Sequence, residues 1–289
     1  MTSSTTAGLS AVDFEKFREF FYKRTGIQFT ESKRYFVDKR IETCIKQAGF
    51  PGFNAWFSAL RLSDRSGLLQ DLINQLTVNE TYFLREDYQF DSLLKTVLPD
   101  VLAARGGAGR MTGPVKILSL PCSTGEEPYS IALRLLEEWD QIDHVDVEIH
   151  GADIDSAVLD KAAHASYGER SLQRVPMSWR AKYFAPVGAG RYQLDAGIRG
   201  AVTLHQINVC DTTSMRAFRD FDVIFCRNVL IYFDELSSRR AAENLYGAMR
   251  PGGYLFLGHS ESMSRISPIF TPSRLPEGIV YQRPSGGPR

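Results

Sequence analysis

Carboxylates, small residues and amides gather at three places where an apolar run stops. Val115-Lys116-Ile117-Leu118-Ser119-Leu120 gives way to Pro121-Cys122-Ser123-Thr124-Gly125-Glu126-Glu127-Pro128. Val145–Ile149 runs on to Gly151-Ala152-Asp153-Ile154-Asp155, and Phe221–Cys226 ends in Arg227-Asn228. The apolar runs read as short buried strands. Open α/β sheets bind ligands at the carboxyl ends of their strands, so the three polar stretches make one candidate site. Small side chains and Gly125 let a ligand approach the backbone, while Glu126 and Glu127 stand at the start of the next helix. Neither G-x-G-x-x-G nor G-x-x-x-x-G-K occurs, and Glu126 would repel a phosphate that bare helix amides attract. An acid in the first loop suits a cationic or hydroxyl-bearing group, and an acid after the second strand suits a ribose diol. S-adenosylmethionine carries an α-amino group, a sulfonium and a ribose but no phosphate, so the pattern favours it over NAD or ATP. Taken singly, each acid could merely complement a helix dipole or cap a helix. Their joint placement at successive strand ends argues for a site.

The elements that must hold these residues alternate. After Val115–Leu120 come a helix over Glu126–Trp139, the strand at Val145–Ile149 and a helix over Ser156–His164. Ala201–Ile207, Phe221–Cys226, a helix near Glu235–Met249 and a strand at Tyr254–Leu257 follow, the last after a Pro251-Gly252-Gly253 turn. Strands alternating with helices indicate a parallel sheet covered on both faces, with Gly278–Gln282 closing its edge antiparallel. Ala165–Gly200 breaks the rhythm with Pro176, Pro186 and the Val187–Gly190 turn, and reads as a small hairpin-bearing insertion with a strand at Arg191–Leu194. Upstream, Ala11–Tyr88 is helical in pattern: Phe14, Phe17, Phe20 and Phe21 recur at helical spacing, as do Leu68, Leu69, Leu72, Ile73 and Leu76. Gly26, Gly49–Gly52 and Ser63–Gly67 divide it into short helices. Gly106–Arg110 with Met111–Pro114 is the best candidate boundary.

Bulk properties narrow the classes. The chain has 289 residues, 43% hydrophobic and 24% charged, enough for a sizeable core without disulfide staples. Its formal net charge is zero, so no global field draws in nucleic acid or a membrane. Cys44, Cys122, Cys210 and Cys226 form no CxxC pair or Cys/His cluster; two of them lie in apolar, strand-like runs and read as reduced core residues, and no metal is expected. No apolar run is long enough to span a bilayer, and Met1–Ser10 lacks the form of a secretory signal. A cytoplasmic location is expected.

Four ordered passages bring a resemblance. Ser123-Thr124-Gly125-Glu126-Glu127-Pro128-Tyr129-Ser130-Ile131-Ala132 resembles the signature of the chemoreceptor glutamate methyltransferases, the CheR family. Leu76–Glu86, Cys226–Asp234 and Leu257–Ser262 resemble the same family, in its order and over nearly the whole chain. The resemblance implies an α/β fold: a Rossmann-like S-adenosylmethionine-dependent methyltransferase domain with a small antiparallel β insertion, preceded by a small all-helical domain. The expected boundaries are a receptor-facing helical domain at 1–88 that covers the cofactor, a helical linker at 89–114, and the methyltransferase domain at 115–289 with its insertion near 165–200. It also implies cofactor contacts from Asn79, Thr81 and Arg85, from Glu126 by the first loop, and from Asp153 at the ribose. Asn208-Val209 and Asn228-Val229 would border the adenine and the methionine end. The plainer reading makes Asn79 and Thr81 helix caps and Arg85 a surface partner of Glu86 or Asp87.

The implied reaction is displacement at the sulfonium methyl by a glutamate γ-carboxylate, giving a methyl ester and S-adenosylhomocysteine. A carboxylate of reference pKa about 4.3 is already ionised near neutrality, so no general base is needed. Arg85 is a candidate to hold the incoming carboxylate and Tyr232 a candidate hydrogen-bond donor beside it; Tyr232 could instead pack by Phe233. The expected partners are cytoplasmic helices of methyl-accepting chemoreceptors, met by a monomer through Lys33, Arg34 and Arg40 on one basic helix. Thr43 and Cys44 stand where the family's helix is more basic, and a mixed solvated face is the alternative. The compact Val187–Arg191 turn suggests no dependence on a receptor C-terminal peptide. Other readings are a receptor-like substrate in surface sensing, a non-catalytic cofactor-binding regulator, and a serine hydrolase built on Gly258-His259-Ser260-Glu261-Ser262. The hydrolase elbow requires a final glycine and an immediate helix, which this passage lacks.

Overall fold

A computed structural model describes residues 9–62, 67–106 and 112–286. Two compact units emerge. One comprises the residues up to Val78 with Tyr232–Ser237, and the other comprises Asn79–Ile231 with Ser238 onward. Of the sequence features above, Met1–Gly8, Ser63–Ser66, Gly107–Met111 and the last three residues lie outside the described residues.

The first unit is built on helices α1 (Ala11–Thr25), α2 (Arg34–Gln47), α3 (Phe53–Leu62) and α4 (Leu68–Leu76). The Ser10 hydroxyl caps α1 by accepting the Asp13 N–H at 3.1 Å. Gly26 ends α1 in the left-handed region (φ 79°), where its N–H reaches the Tyr22 carbonyl. The inward faces carry Phe14, Phe17, Phe21, Val37, Ile41, Trp56, Leu60 and Leu72, all essentially inaccessible. The predicted phenylalanine periodicity is thus a core stripe, except Phe20, which rests edge-on against Phe57. The Leu68–Leu76 repeat likewise buries Leu72, Ile73 and Leu76.

In the second unit α5 (Tyr88–Ser92), a π turn (Leu93–Val97) and α6 (Leu98–Ala104) precede β1 (Val115–Ser119) and α7 (Glu126–Glu138). Next come β2 (Val147–Asp153), α8 (Ser156–His164), β3 (Ser166–Gly168), α9 (Glu169–Leu172), α10 (Met177–Tyr183), β4 (Phe184–Gly188), β5 (Arg191–Leu194) and α11 (Ala196–Gly200). The chain closes with β6 (Val202–Gln206), α12 (Thr212–Met215), β7 (Phe221–Cys226), α13 (Glu235–Ala248), β8 (Met249–Leu257), β9 (Thr271–Leu275) and β10 (Gly278–Gln282). The large sheet has the order β6-β2-β1-β7-β8-β10-β9, parallel from β6 to β8 and antiparallel at β10 and β9. This is the expected Rossmann-like α/β arrangement, with the expected small antiparallel insertion as a separate sheet, β3-β5-β4. β7, buried at every position, lies at the centre, as its uninterrupted apolar run requires.

One expectation needs correction, and two details refine the outline. The terminal strand β10 is not the sheet edge: β9 pairs outside it, and Pro272 with alternate exposed polar residues hid that strand. The stretch expected as a helical linker is helical over Tyr88–Ala104, and its Phe90, Leu93, Val97, Leu98 and Val101 are buried in the second unit's core. Asn79–Tyr88 also belongs to the second unit rather than to the helical one. Its Phe83 is fully buried, with edge-on contacts to Tyr167 and Phe184, so this irregular stretch is anchored by one aromatic plug.

Candidate active site

Parallel register brings five loops to one edge. Ser119 pairs with Gly151 and Phe225, Asp153 with Gln206, and Cys226 with Leu257. The residues after β1, β2, β6, β7 and β8 therefore share the carboxyl edge of the sheet, and β1 sits where the connections diverge to either side. After β1 the backbone passes a cis Leu120–Pro121 bond, with Ser123 at φ 47° and Gly125 at φ 94°. A Cβ on Gly125 would stand 2.6 Å from the Tyr129 ring and 3.1 Å from the Ala162 Cβ. Only glycine fits both the left-handed backbone and that approach.

The two acids singled out from sequence are buried here. Asp153, 3% exposed, accepts the Ser123 N–H at 2.8 Å and the Asp155 N–H at 3.0 Å. Burial pushes its carboxyl up to about 6 although those N–H groups pull the other way. Glu126, 2% exposed, accepts the Thr124 hydroxyl at 2.6 Å and the Ser171 hydroxyl at 3.0 Å, and burial raises it too. Among the described residues neither acid has a cation within ion-pair distance. Glu127 differs: it takes the Ser119 hydroxyl at 2.8 Å and pairs with Arg227 at 3.2 Å. Burial still raises Glu127, with Arg227 opposing. Glu127 is thus tied to Arg227 and Ser119, whereas Glu126 meets the two hydroxyls. Asp155 caps α8 through the Ala157 and Val158 N–H groups, so in the Asp-Ile-Asp stretch the capping falls to Asp155 and not to Asp153.

The Asn79–Glu86 segment is tied to these loops along its length. The Asn79 amide donates to Asp155 at 2.8 Å, and the Ser123 hydroxyl reaches the Asn79 carbonyl at 3.4 Å. The Leu84 N–H donates to the Ser130 hydroxyl, which itself donates to the Glu126 carbonyl at 2.6 Å. Leu84 and Glu86 adopt φ 58° and 57°. Thr81 is half-buried in the same segment. Asn79 is therefore no helix cap: α4 ends at Leu76 and no helix begins at Asn79. Arg85 does not pair with Glu86 or Asp87; it donates to the Glu80 carbonyl at 3.0 Å and lies over the Tyr82 ring. Glu86 instead meets His259 at 2.9 Å and Arg227 at 3.4 Å, and Asp87 meets Arg134 at 3.4 Å.

Two residues that hold the site were missed from sequence. Arg227, 4% exposed, donates to the Arg85 carbonyl at 2.7 Å and bridges Glu86 to Glu127, locking the Asn79–Glu86 segment to the start of α7 and the end of β7. Glu261 accepts four backbone N–H groups: Asn228 at 2.7 Å, Val229 at 3.0 Å, Leu230 at 2.8 Å and Gly258 at 2.8 Å. It fixes Asn228 in the left-handed region at φ 59°. A Cβ on Gly258 would lie 2.6 Å from the Asn228 amide nitrogen, so the two loops touch. Asn208 accepts the Cys210 N–H at 2.9 Å, and the Val209 carbonyl accepts the Asn244 amide at 2.7 Å; both follow β6 at the same edge. Ser260 is exposed in a turn followed by a short 3-10 helix rather than an α-helix, so the hydrolase elbow is absent.

The four remaining candidates, Tyr232, Lys33, Arg34 and Arg40, fall in the first unit. Tyr232 belongs to it, and its carbonyl accepts the Gln28 N–H at 3.1 Å. Lys33, in the 3-10 turn before α2, and Arg40 on α2 are exposed, but Arg34 is engaged internally with Glu31 at 3.0 Å, the Leu9 carbonyl and the Phe14 ring. Lys39, stacked on the 71%-exposed Tyr35, takes a place on the open face that Arg34 does not.

The buried acids and amide donors suit S-adenosylmethionine: Glu126 an ammonium, Asp153 a diol, Asn79 and Arg85 acceptors. Comparison with known proteins agrees on the cofactor. The profile of the CheR methyltransferase SAM-binding domain matches residues 79–279, and that of the CheR all-alpha domain matches 12–77. The chain is 46% identical over 279 residues to chemotaxis protein methyltransferase 2 of Vibrio cholerae, covering 96% of this chain and 95% of that one. It is 32% identical over 275 residues to chemotaxis protein methyltransferase 1 of Pseudomonas aeruginosa, covering 93% and 97%. The Pseudomonas putida chemotaxis protein methyltransferase Cher2 is 30% identical over 276 residues, covering 94% and 98%. No described helix is long and apolar enough to cross a membrane. A Rossmann-like sheet with acid-lined strand ends, matched over nearly its whole length, makes this chain a member of the CheR family of S-adenosylmethionine-dependent methyltransferases.

Proposed function

We propose that this chain esterifies glutamate side chains on the cytoplasmic helices of methyl-accepting chemoreceptors. The observation that carries the reading is the pair of buried acids, Glu126 and Asp153, with hydroxyl and backbone N–H partners but no cation among the described residues, at adjacent strand ends. S-adenosylmethionine, when bound, supplies a methyl group made electrophilic by its sulfonium. Glu126 faces the α-amino group, and Asp153 accepts from the ribose hydroxyls. Asn79, Thr81 and Arg85 approach from the segment that Arg227 secures, while Asn208-Val209 and Asn228-Val229 border the cofactor's two ends. The target γ-carboxylate is ionised near neutral pH, so these residues need only align it and exclude water. Arg85 holds the carboxylate by charge and hydrogen bonding.

Lys33, Lys39, Arg40 and Lys46 give the exposed side of α2 a basic character suited to an acidic receptor helix. The test is peptide mass spectrometry of receptor fragments after incubation with the protein and S-adenosylmethionine. Methyl esters confined to glutamate support the reaction. Methylation at lysine, or none on any receptor offered, contradicts it.

A further inference from the structure

A cleft lined by Tyr82, Asp87, Gln173 and Arg174 lies on the segment that also carries Asn79 and Arg85. Its arginine differs from its neighbours. Arg170 pairs with Glu80 at 2.9 Å, Arg134 with Asp87 at 3.4 Å, and Arg180 with Glu169 at 2.9 Å. Arg174 is exposed and, among the described residues, has no carboxylate within ion-pair distance. Its guanidinium instead lies 6.0 Å from the Tyr82 ring centroid, and Arg85 lies 5.9 Å from the same centroid. One aromatic ring thus carries two guanidinium groups, one on the candidate cofactor segment and one on the insertion. Stacking on a ring leaves the planar edge of a guanidinium open to a bidentate carboxylate. Across the cleft, Asp87 accepts from donors, its charge partly offset by Arg134.

We infer that this cleft receives a second acidic residue of the substrate segment, beside the glutamate to be methylated. Arg174 binds its side-chain carboxylate, Gln173 adds an amide donor, and Asp87 takes a backbone N–H of the same segment. This inference rests on the proposed glutamate esterification for its choice of substrate. It makes Arg174 a specificity-determining residue that favours target glutamates with an acidic neighbour. Its contribution falls on substrate affinity, because it touches neither the proposed cofactor contacts nor the reacting atoms.

Fluorescence anisotropy of a labelled receptor cytoplasmic fragment, in saturating S-adenosylhomocysteine, tests this without turnover. An exposed arginine–carboxylate pair predicts that Arg174→Ala weakens fragment binding about two- to fivefold, with the S-adenosylhomocysteine Kd unchanged and Arg174→Lys recovering part of the loss. Changing acids beside the target glutamate to glutamine should weaken wild-type binding by a similar factor and leave Arg174→Ala binding unaffected. Equal affinity of wild type and Arg174→Ala, or an equal penalty for the neutralised fragment in both proteins, would overturn the inference. Absence of ester formation by the wild type would count against the reaction, while the binding comparison still decides the role of Arg174.

Discussion

Glu261→Gln isolates the claim that one carboxylate shapes the loop after β7. In the wild type one oxygen accepts from Val229 and Leu230 and the other from Asn228 and Gly258. Glutamine keeps a single acceptor, and whichever way its amide turns, two backbone N–H groups face an NH2 donor. An unsatisfied buried donor costs about 1–3 kcal/mol, and the half-buried position of Glu261 favours the lower part of that range. Two such donors give a loss of about 2–4 kcal/mol, or a fall in Tm of roughly 5–10 °C for a domain of this size. Urea denaturation with and without S-adenosylhomocysteine measures both consequences. The variant should lose stability by that amount and bind the product at least about tenfold more weakly, because the Asn228-Val229 backbone is released. Ser260→Ala, one residue away and exposed, should stay within about 0.5 kcal/mol of wild type. A Glu261→Gln protein equal to wild type in both measurements would refute the clamp.

Asp153 predicts a pH dependence. Its folded value of about 6 lies above the reference 3.8, so its contribution to apo stability is full below that reference and is lost as pH rises through about 6. A ribose diol favours the ionised form, so S-adenosylhomocysteine should bind about tenfold more weakly at pH 5 than at pH 7. Calorimetric titration across this range should show the slope in wild type and a flat profile in Asp153→Asn; a flat wild-type profile would exclude the contact. Gly125→Ala forces a Cβ to within 2.6 Å of Tyr129 at φ 94°, and thermal melts should show a loss of roughly 2–4 kcal/mol together with loss of product binding. Reversing the open face of α2 with Lys39→Glu and Arg40→Glu should raise the KM for receptor severalfold, in a salt-dependent manner, and leave S-adenosylhomocysteine affinity unchanged. An unaltered KM would move docking elsewhere.

Much of the fold was readable because its main signals are local. The run Phe221–Cys226 is buried at every position, as its apolar continuity implied, and Ser156–His164 forms the helix that Asp155 caps. β9 escaped notice because Thr271, Pro272 and Ser273 on an edge strand give no apolar alternation. β3 and β4, three and five residues long, escaped because they are held by pairing to β5 rather than by their own pattern. The strand-end acids were visible as candidates, but their division of labour was not. That Glu127 pairs with Arg227 while Glu126, among the described residues, meets hydroxyls and no cation depends on contacts between α7, the end of β7 and the Asn79–Glu86 segment. Glu261 carried no periodic signal. Its role arises only because β7 and β8 end side by side and bring Gly258 against Asn228.

The most direct test of the central claim is methyl transfer from labelled S-adenosylmethionine to receptor-bearing membranes, with the product then exposed to base. The account predicts label on receptors that mild base releases, as a carboxyl ester requires, and its loss in Glu126→Gln. Label that survives base, or base-labile label made equally well by Glu126→Gln, would contradict it.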